Sequence, residues 1–327
     1  MESKFWKDKK VLITGFEGFL GSNLSKALIS LGAGMFGLDI RVRRKETVLT
    51  EHDYKKISVI KGSVVNYKLV EKVINKHKIN VVFHLAAEAI VGKCRHDPLR
   101  TFSTNIEGTW NILEVCRNSK DIQSIIIASS DKAYGVHEEL PYTEESPLNG
   151  SHPYDVSKSC ADLVANTYFN TYGLPVAVMR CGNIYGPGDF NFSRLIPDAM
   201  RSIVLNKILK IRSDGSFVRD YVYVDDIVAG YIKIAELMKK NSLSGEAFNL
   251  SDEKPIAVIK LLREISKFNP CGNELKYKIM NTAKYEIKEQ YLSSAKARRI
   301  LGWKPAYNLC DGLRKTAEWY FSYFSKK

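Results

Sequence analysis

The chain has 327 residues, 45% of them hydrophobic and 11% aromatic, enough for a large core and, on length alone, about two domains. No apolar run approaches the roughly 18 residues of a membrane span, so a membrane partner is not expected. Forty-nine Lys+Arg against 36 Asp+Glu give a formal +13, but the densest cluster, Arg41 to Lys45, holds only four cations, and no recognition helix, RNA-binding aromatic motif or zinc finger accompanies it, so neither is nucleic acid.

Met1 to Lys10 is charged and runs straight into a short apolar strand broken by Thr14, Gly15 and Glu17. A secretory leader would need about 7–15 apolar residues there, so the protein is expected in the cytoplasm. In chain order, Val11–Gly15 predicts a strand, Gly18–Leu31 a helix, Met35–Ile40 a second strand and Val59–Lys61 a short third. Leu69–His77 predicts a helix, Asn80–Leu85 a strand, Pro98–Arg117 a long helix and Ile122–Ser129 a buried central strand. Tyr154–Tyr172 is helical and Pro175–Met179 extended. Continuous β-branched runs alternating with helices predict a Rossmann-type, doubly wound parallel sheet buried on both faces.

After Gly182 the pattern turns irregular, with helices predicted near 193–206, 225–240 and 255–268 and short strands between. Residues 1–182 therefore read as a nucleotide-binding domain and 183–327 as mainly a smaller, interleaved substrate-binding lobe. The last helix, 311–325, carries Trp319, Tyr320, Phe321, Tyr323 and Phe324, a stripe expected to pack on the body of the protein. The six cysteines (Cys94, Cys116, Cys160, Cys181, Cys271, Cys310) contain no C-x-x-C pair. They read as reduced structural thiols, with no metal site.

Gly15, Gly18 and Gly21 stand in G-x-x-G-x-x-G spacing between the first strand and first helix, with Phe19 and Leu20 inside the motif. Glycine is needed where the backbone turns tightly and approaches a pyrophosphate, and the N–H groups at the helix start then bind the phosphates. Asp39 ends the second strand, 18 residues after Gly21. A carboxylate there accepts hydrogen bonds from a ribose diol and repels a 2′-phosphate, so the expected cofactor is NAD, although Arg41, Arg43 and Arg44 stand nearby.

Tyr154 and Lys158 have Y-x-x-x-K spacing and share one helix face. A tyrosine of ordinary pKa near 10 is a poor base at neutrality, and a neighbouring cation favours its phenolate. Ser130, 24 residues upstream at a strand end, completes a candidate catalytic set.

With these residues in place, the sequence resembles the extended short-chain dehydrogenase/reductase family of nucleotide-sugar epimerases and dehydratases over nearly its whole length. The likeness rests on His84-Leu85-Ala86-Ala87, Asn105-Ile106-Glu107-Gly108-Thr109, Ser129 to Gly135, Tyr154/Lys158, Arg180 to Gly188, Arg219 to Asp226 and Leu301-Gly302-Trp303-Lys304-Pro305. It implies that Leu85, Ala86, Ala87 and Asn105 join the cofactor site, that a nucleoside-diphosphate sugar is the substrate, and that the protein is a homodimer joined by helices 98–117 and 154–172. One departure is Ser63, where the family usually carries an acidic residue at adenine.

Asp131-Lys132 after the serine resembles the 4,6-dehydratases of the family, the CDP-glucose enzymes most of all. That likeness implies Asp131 as the acid and Lys132 as the base of a water elimination. Tyr185-Gly186-Pro187 and Arg219-Asp220-Tyr221 look more like the epimerases, which makes a 4-epimerase acting through a 4-keto sugar the alternative. Asn183, Arg194 and Arg219 are expected on the substrate, the two arginines as diphosphate clamps. A catalytically silent NAD- or RNA-binding scaffold would have no reason to keep Ser130, Tyr154 and Lys158 together.

Overall fold

The computed structural model describes residues 5–240, 242–269, 275–283 and 286–325; Cys271 lies outside them. The first half runs β1 (Lys10–Thr14), α1 (Phe19–Ser30), β2 (Gly34–Asp39), a single-turn α2 (Glu51–Tyr54), β3 (Ile57–Lys61), α3 (Tyr67–His77) and β4 (Val81–His84). It continues through α4 (Val91–His96), α5 (Pro98–Phe102), α6 (Gly108–Arg117), β5 (Ser124–Ala128), α7 (Pro153–Tyr172) and β6 (Val176–Cys181). The second half holds β7 (Asn183–Tyr185), α8 (Leu195–Val204), β8 (Leu209–Ile211), β9 (Val218–Arg219), β10 (Tyr221–Tyr223), α9 (Val224–Leu237) and β11 (Ala247–Leu250). Then come β12 (Ile256–Ala257), α10 (Val258–Ser266), β13 (Tyr277–Ile279), β14 (Glu289–Gln290) and α11 (Leu309–Ser325).

Seven parallel strands form the main sheet in the order β11-β6-β5-β4-β1-β2-β3. Every residue of β4 and of β6 is buried, which is why these strands read as unbroken apolar runs. Strand order reverses between β1 and β4, and a crevice opens there beyond the carboxyl ends of the strands. The seventh strand comes from the second half of the chain: β11 pairs with β6, Phe248 opposite Met179. Asp226 in α9 accepts from the backbone of Ala306 and Tyr307 at 2.7 and 3.2 Å, and the Trp303 indole donates to the Asp226 carbonyl at 2.8 Å. Small sheets of β7 with β10, of β12, β9 and β14, and of β8 with β13 stand outside the main one.

The long helix expected over 98–117 is continuous but carries a π-helical insertion. Asp97 caps α5, and a π-helical turn at Ser103–Glu107 joins α5 to α6. The spacing of the apolar residues does not predict this π-helical turn. The short α2 and α4 were not expected either. The aromatic stripe of α11 does pack inward: Tyr320 is buried and bonds the Asp189 carbonyl, and Trp319 stacks on Tyr323. No helix among the described residues is long and apolar enough to cross a membrane. Cys94, Cys116 and Cys181 are buried free thiols, while Cys160 and Cys310 are free and more accessible.

A Cβ at Gly21 would overlap the Gly15 carbonyl oxygen and sit 2.8 Å from the Phe16 Cα. Both are backbone, so nothing flexible can move aside. Gly21→Ala should therefore lower stability by about 2–4 kcal/mol and weaken dinucleotide binding, as measured by thermal denaturation and calorimetry.

Candidate active site

β1 delivers the glycine loop to the crevice. Gly15 has φ +72°, and a Cβ there would lie 2.9 Å from the Ala86 nitrogen, so only glycine lets the loop touch the Leu85-Ala86-Ala87 segment after β4. The Thr14 hydroxyl binds His84 Nδ1 at 2.8 Å and accepts from the Ala86 N–H at 3.2 Å, and His84 Nε2 meets the Thr109 hydroxyl at 3.2 Å. Burial pulls His84 down to about 3, so it is a neutral brace. Gly18 is the N-cap of α1, and Phe19 and Leu20 pack its first turn on the core. The loop, the bare helix start and the buried Asp39 at the end of β2 fit a dinucleotide pyrophosphate and ribose. Asp39 also accepts from Arg44 at 2.6 Å and from the Arg41 N–H at 3.2 Å. The Ser63 hydroxyl accepts from the Val65 N–H at 3.2 Å.

Asn105 lies in the π-helical turn and is buried. Its amide binds both backbone groups of Glu88, at 2.7 and 3.0 Å, and donates to the Ser157 hydroxyl at 2.9 Å. It ties the loop after β4 to α7, so it shapes the cofactor crevice through its neighbours.

Ser130 follows β5 and caps a 3-10 turn, Asp131–Tyr134, through the Lys132 N–H. The Ser130 hydroxyl donates to Asp131 Oδ1 at 2.7 Å. Burial pushes the Tyr154 phenol well above its ordinary value, while the Arg194 charge and the nearby Ser130 hydroxyl oppose that shift. Burial pulls the Lys158 ammonium down to about 8, with Asp162 opposing, and its Nζ donates to the Ala128 carbonyl at 2.7 Å. Asp131 is buried, and its Oδ2 stands 3.7 Å from Lys132 Nζ.

Arg194 caps α8, half exposed, with one bond of 3.2 Å to Asp189. Its positive charge favours the Tyr154 phenolate. Arg219 is more committed: it donates to the Val218 and Lys288 carbonyls at 2.7 and 2.8 Å, and to that of Ile287. Asn183 donates to the Asp220 carbonyl at 3.2 Å. Among the described residues, no group of three or more His, Cys, Asp or Glu could hold a metal ion.

The family model for GDP-mannose 4,6 dehydratase matches residues 12–316. The chain belongs to this family. It is 30% identical to the CDP-glucose 4,6-dehydratase of Salmonella typhimurium, across 98% of this chain and 92% of that protein. The dTDP-glucose 4,6-dehydratase of Bacillus anthracis, solved with NAD, superposes with a TM-score of 0.83 at 27% identity, over 96% of this chain and 97% of the other. The UDP-glucose 4-epimerase of Thermotoga maritima, solved with UDP-glucose, superposes at 0.87 and 26% identity, over 96% and 99%. Dehydratases and epimerases of this family thus share the fold and differ in the side chains set into it.

Three residues of the site escaped sequence reasoning. Glu17, an ordinary position inside the glycine loop, is buried and accepts from the N–H groups of Arg43 and Arg44 at 2.5 and 2.7 Å. Gln290 is buried against Asp131 and Lys132. Asp220 is buried beside Gly182, accepts from the Leu292 N–H at 3.1 Å and from the Ser251 hydroxyl, and has Oδ1 without a hydrogen bond. No short motif marks the latter two roles, because their partners lie far away in the chain.

Burial and the nearby Asp131 charge push Asp220 up to about 7, above an ordinary value of about 3.9. A raised carboxyl is stabilising in its neutral form. That contribution is complete below about pH 4 and is lost as pH climbs through about 7. Asp220→Asn keeps an acceptor and removes the titration, so melting temperature should fall less for it than for wild type between pH 5 and 8. Parallel curves would remove Asp220 as the source.

Proposed function

We propose that the protein is an NAD-dependent 4,6-dehydratase of a nucleoside-diphosphate hexose. The observation that carries this reading is the pair Asp131–Lys132: a buried carboxyl group 3.7 Å from an amine, with Ser130 hydrogen-bonded to the same carboxyl. Simple C4 inversion has no use for a second acid and base. The likeness to the Salmonella CDP-glucose enzyme supports the same reading.

NAD in the glycine cradle supplies the acceptor, and later the donor, of one hydride. Tyr154 removes the C4 hydroxyl proton, with Ser130 and the Arg194 charge favouring its phenolate. The 4-ketone so formed acidifies the C5 hydrogen. Lys132 takes that proton, the C5–H electron pair becomes the C5–C6 double bond, and Asp131 protonates the departing C6 hydroxyl, releasing water; the hydride then returns to C6 and a solvent-exchanged proton goes from Lys132 to C5. Lys158 braces the end of β5 and adds positive charge behind the phenol. Asn183, Arg194 and Arg219 hold the sugar diphosphate, Arg219 after giving up some of its carbonyl partners. In this reading residues 1–182 mainly hold the cofactor and 183–327 mainly the sugar nucleotide. Exposed Leu99, Trp110, Leu163 and Tyr172 on α5, α6 and α7 form the contact of a cytoplasmic homodimer.

NAD should bind more tightly than NADP in calorimetry, because Asp39 repels a 2′-phosphate. A preference for NADP would mean that Arg41, Arg43 and Arg44 outweigh it.

Water loss decides between dehydratase and epimerase. In heavy water with CDP-glucose and other nucleoside-diphosphate hexoses, the product should be lighter by one water and carry deuterium at C5. Asp131→Asn and Lys132→Met should each slow this by about 10²–10⁴, while reduced-cofactor absorbance accumulates. A product of unchanged mass without deuterium at C5 would assign the protein to the 4-epimerases.

A further inference from the structure

Gln290 ends β14, a two-residue strand paired in parallel with β9, where it stands opposite Arg219. It is fully buried. Its Oε1 accepts from Lys132 Nζ at 2.5 Å, and its Nε2 donates to the Asp131 carbonyl at 3.0 Å. The amide has one workable orientation: flipped, it would set N–H against the amine and oxygen against a carbonyl.

We propose that Gln290 is a positioning residue for Lys132, fixing where the amine's lone pair points without adding charge beside it. This rests on the dehydratase reading. A neutral amine carries two N–H bonds and one lone pair. With one N–H given to Gln290 and Asp131 Oδ2 beyond hydrogen-bond reach at 3.7 Å, the lone pair is held away from Gln290 and is free to receive the C5 proton. A freely rotating lysine would spend most of its time in other arrangements, and orienting partners of this kind are worth about 10–100-fold in comparable sites.

The absence of charge on residue 290 matters equally. Lys132 already faces Asp131 on its own turn and Asp155 on α7, and Asp220, before β10, lies behind Asp131. A glutamate of the same shape at 290 would add to them, whereas glutamine orients the amine and leaves its charge balance alone. Because β9 and β14 also carry Arg219, one small sheet both grips the diphosphate and aims the base.

The test uses the full chain with NAD and CDP-glucose, or whichever nucleoside-diphosphate hexose the wild type dehydrates, comparing wild type, Gln290→Met and Gln290→Glu. C4 oxidation is followed by reduced-cofactor absorbance in a single turnover, and elimination by water loss and C5 deuterium. Gln290→Met should slow elimination about 10–100-fold and change C4 oxidation by less than about two-fold. Gln290→Glu, nearly isosteric, should move the pH of half-maximal elimination upward by about one unit or more. A merely structural role would depress both steps together and leave the pH profile in place. Elimination at the wild-type rate in Gln290→Met, or an unmoved profile in Gln290→Glu, overturns the assignment; if the methionine variant does not fold, the glutamate profile decides. Failure of the dehydratase reading shows separately, in wild type itself, as a C4 epimer without C5 deuterium, and takes this inference with it.

Discussion

The Gly15 backbone lies so close to the Ala86 nitrogen, and the Gly15 carbonyl so close to Gly21, that side chains are excluded from both positions. From this close approach the rest of the site follows. Only with the glycine loop pressed against the end of β4 does the start of α1 point its free N–H groups into the crevice where strand order reverses. The same approach brings Thr14, His84 and Thr109 into one buried hydrogen-bonded line. That line joins β1, β4 and α6 directly beneath the loop. Binding geometry and core packing are therefore one constraint, and a change that relaxes the first loosens the second.

A second group of buried charges supports the other side of the crevice. Arg180 on β6 forms a bidentate pair with Asp162 at 2.8 and 2.9 Å and donates to the Tyr134 hydroxyl at 2.8 Å. Tyr134 in turn donates to Asn249 of β11 at 2.7 Å, and the Asn249 N–H donates to Glu144 at 2.7 Å. Satisfied networks of this kind are costly to form and specific once formed. This one locks the 3-10 turn bearing Asp131 and Lys132 to the main sheet through a strand from the second half of the chain. Asp162 lies one helical turn beyond Lys158 and opposes the loss of its charge, so the network also reaches the catalytic helix.

The site is thus assembled from both halves of the chain. The first half supplies the cradle, the serine turn and the Tyr154–Lys158 helix. The second supplies Arg194, the β9–β14 sheet with Arg219 and Gln290, and β11 behind Tyr134. Electrostatically the result is mixed: the Arg194 charge favours the Tyr154 phenolate and the Asp131 charge opposes it, while Asp131 also raises Asp220.

Whatever depends on neighbours in the chain was legible from the residues alone. The alternation of buried strands and helices, the glycine spacing, Asp39 at a strand end and the i, i+4 pair of Tyr154 and Lys158 are all local, because backbone conformation and helix periodicity act over a few residues. Tertiary structure decided what long separations conceal. The π-helical turn that turns Asn105 toward Glu88 and Ser157, the entry of β11 into the main sheet, and the carbonyl cage around Arg219 depend on segments far apart in the chain. So do the burial of Asp220 and the placing of Gln290 on Lys132 across a separation of 158 residues. Burial and hydrogen bonding between distant segments carry no periodic signature. Local spacing could therefore single out candidate groups but not the distant residues packed against them.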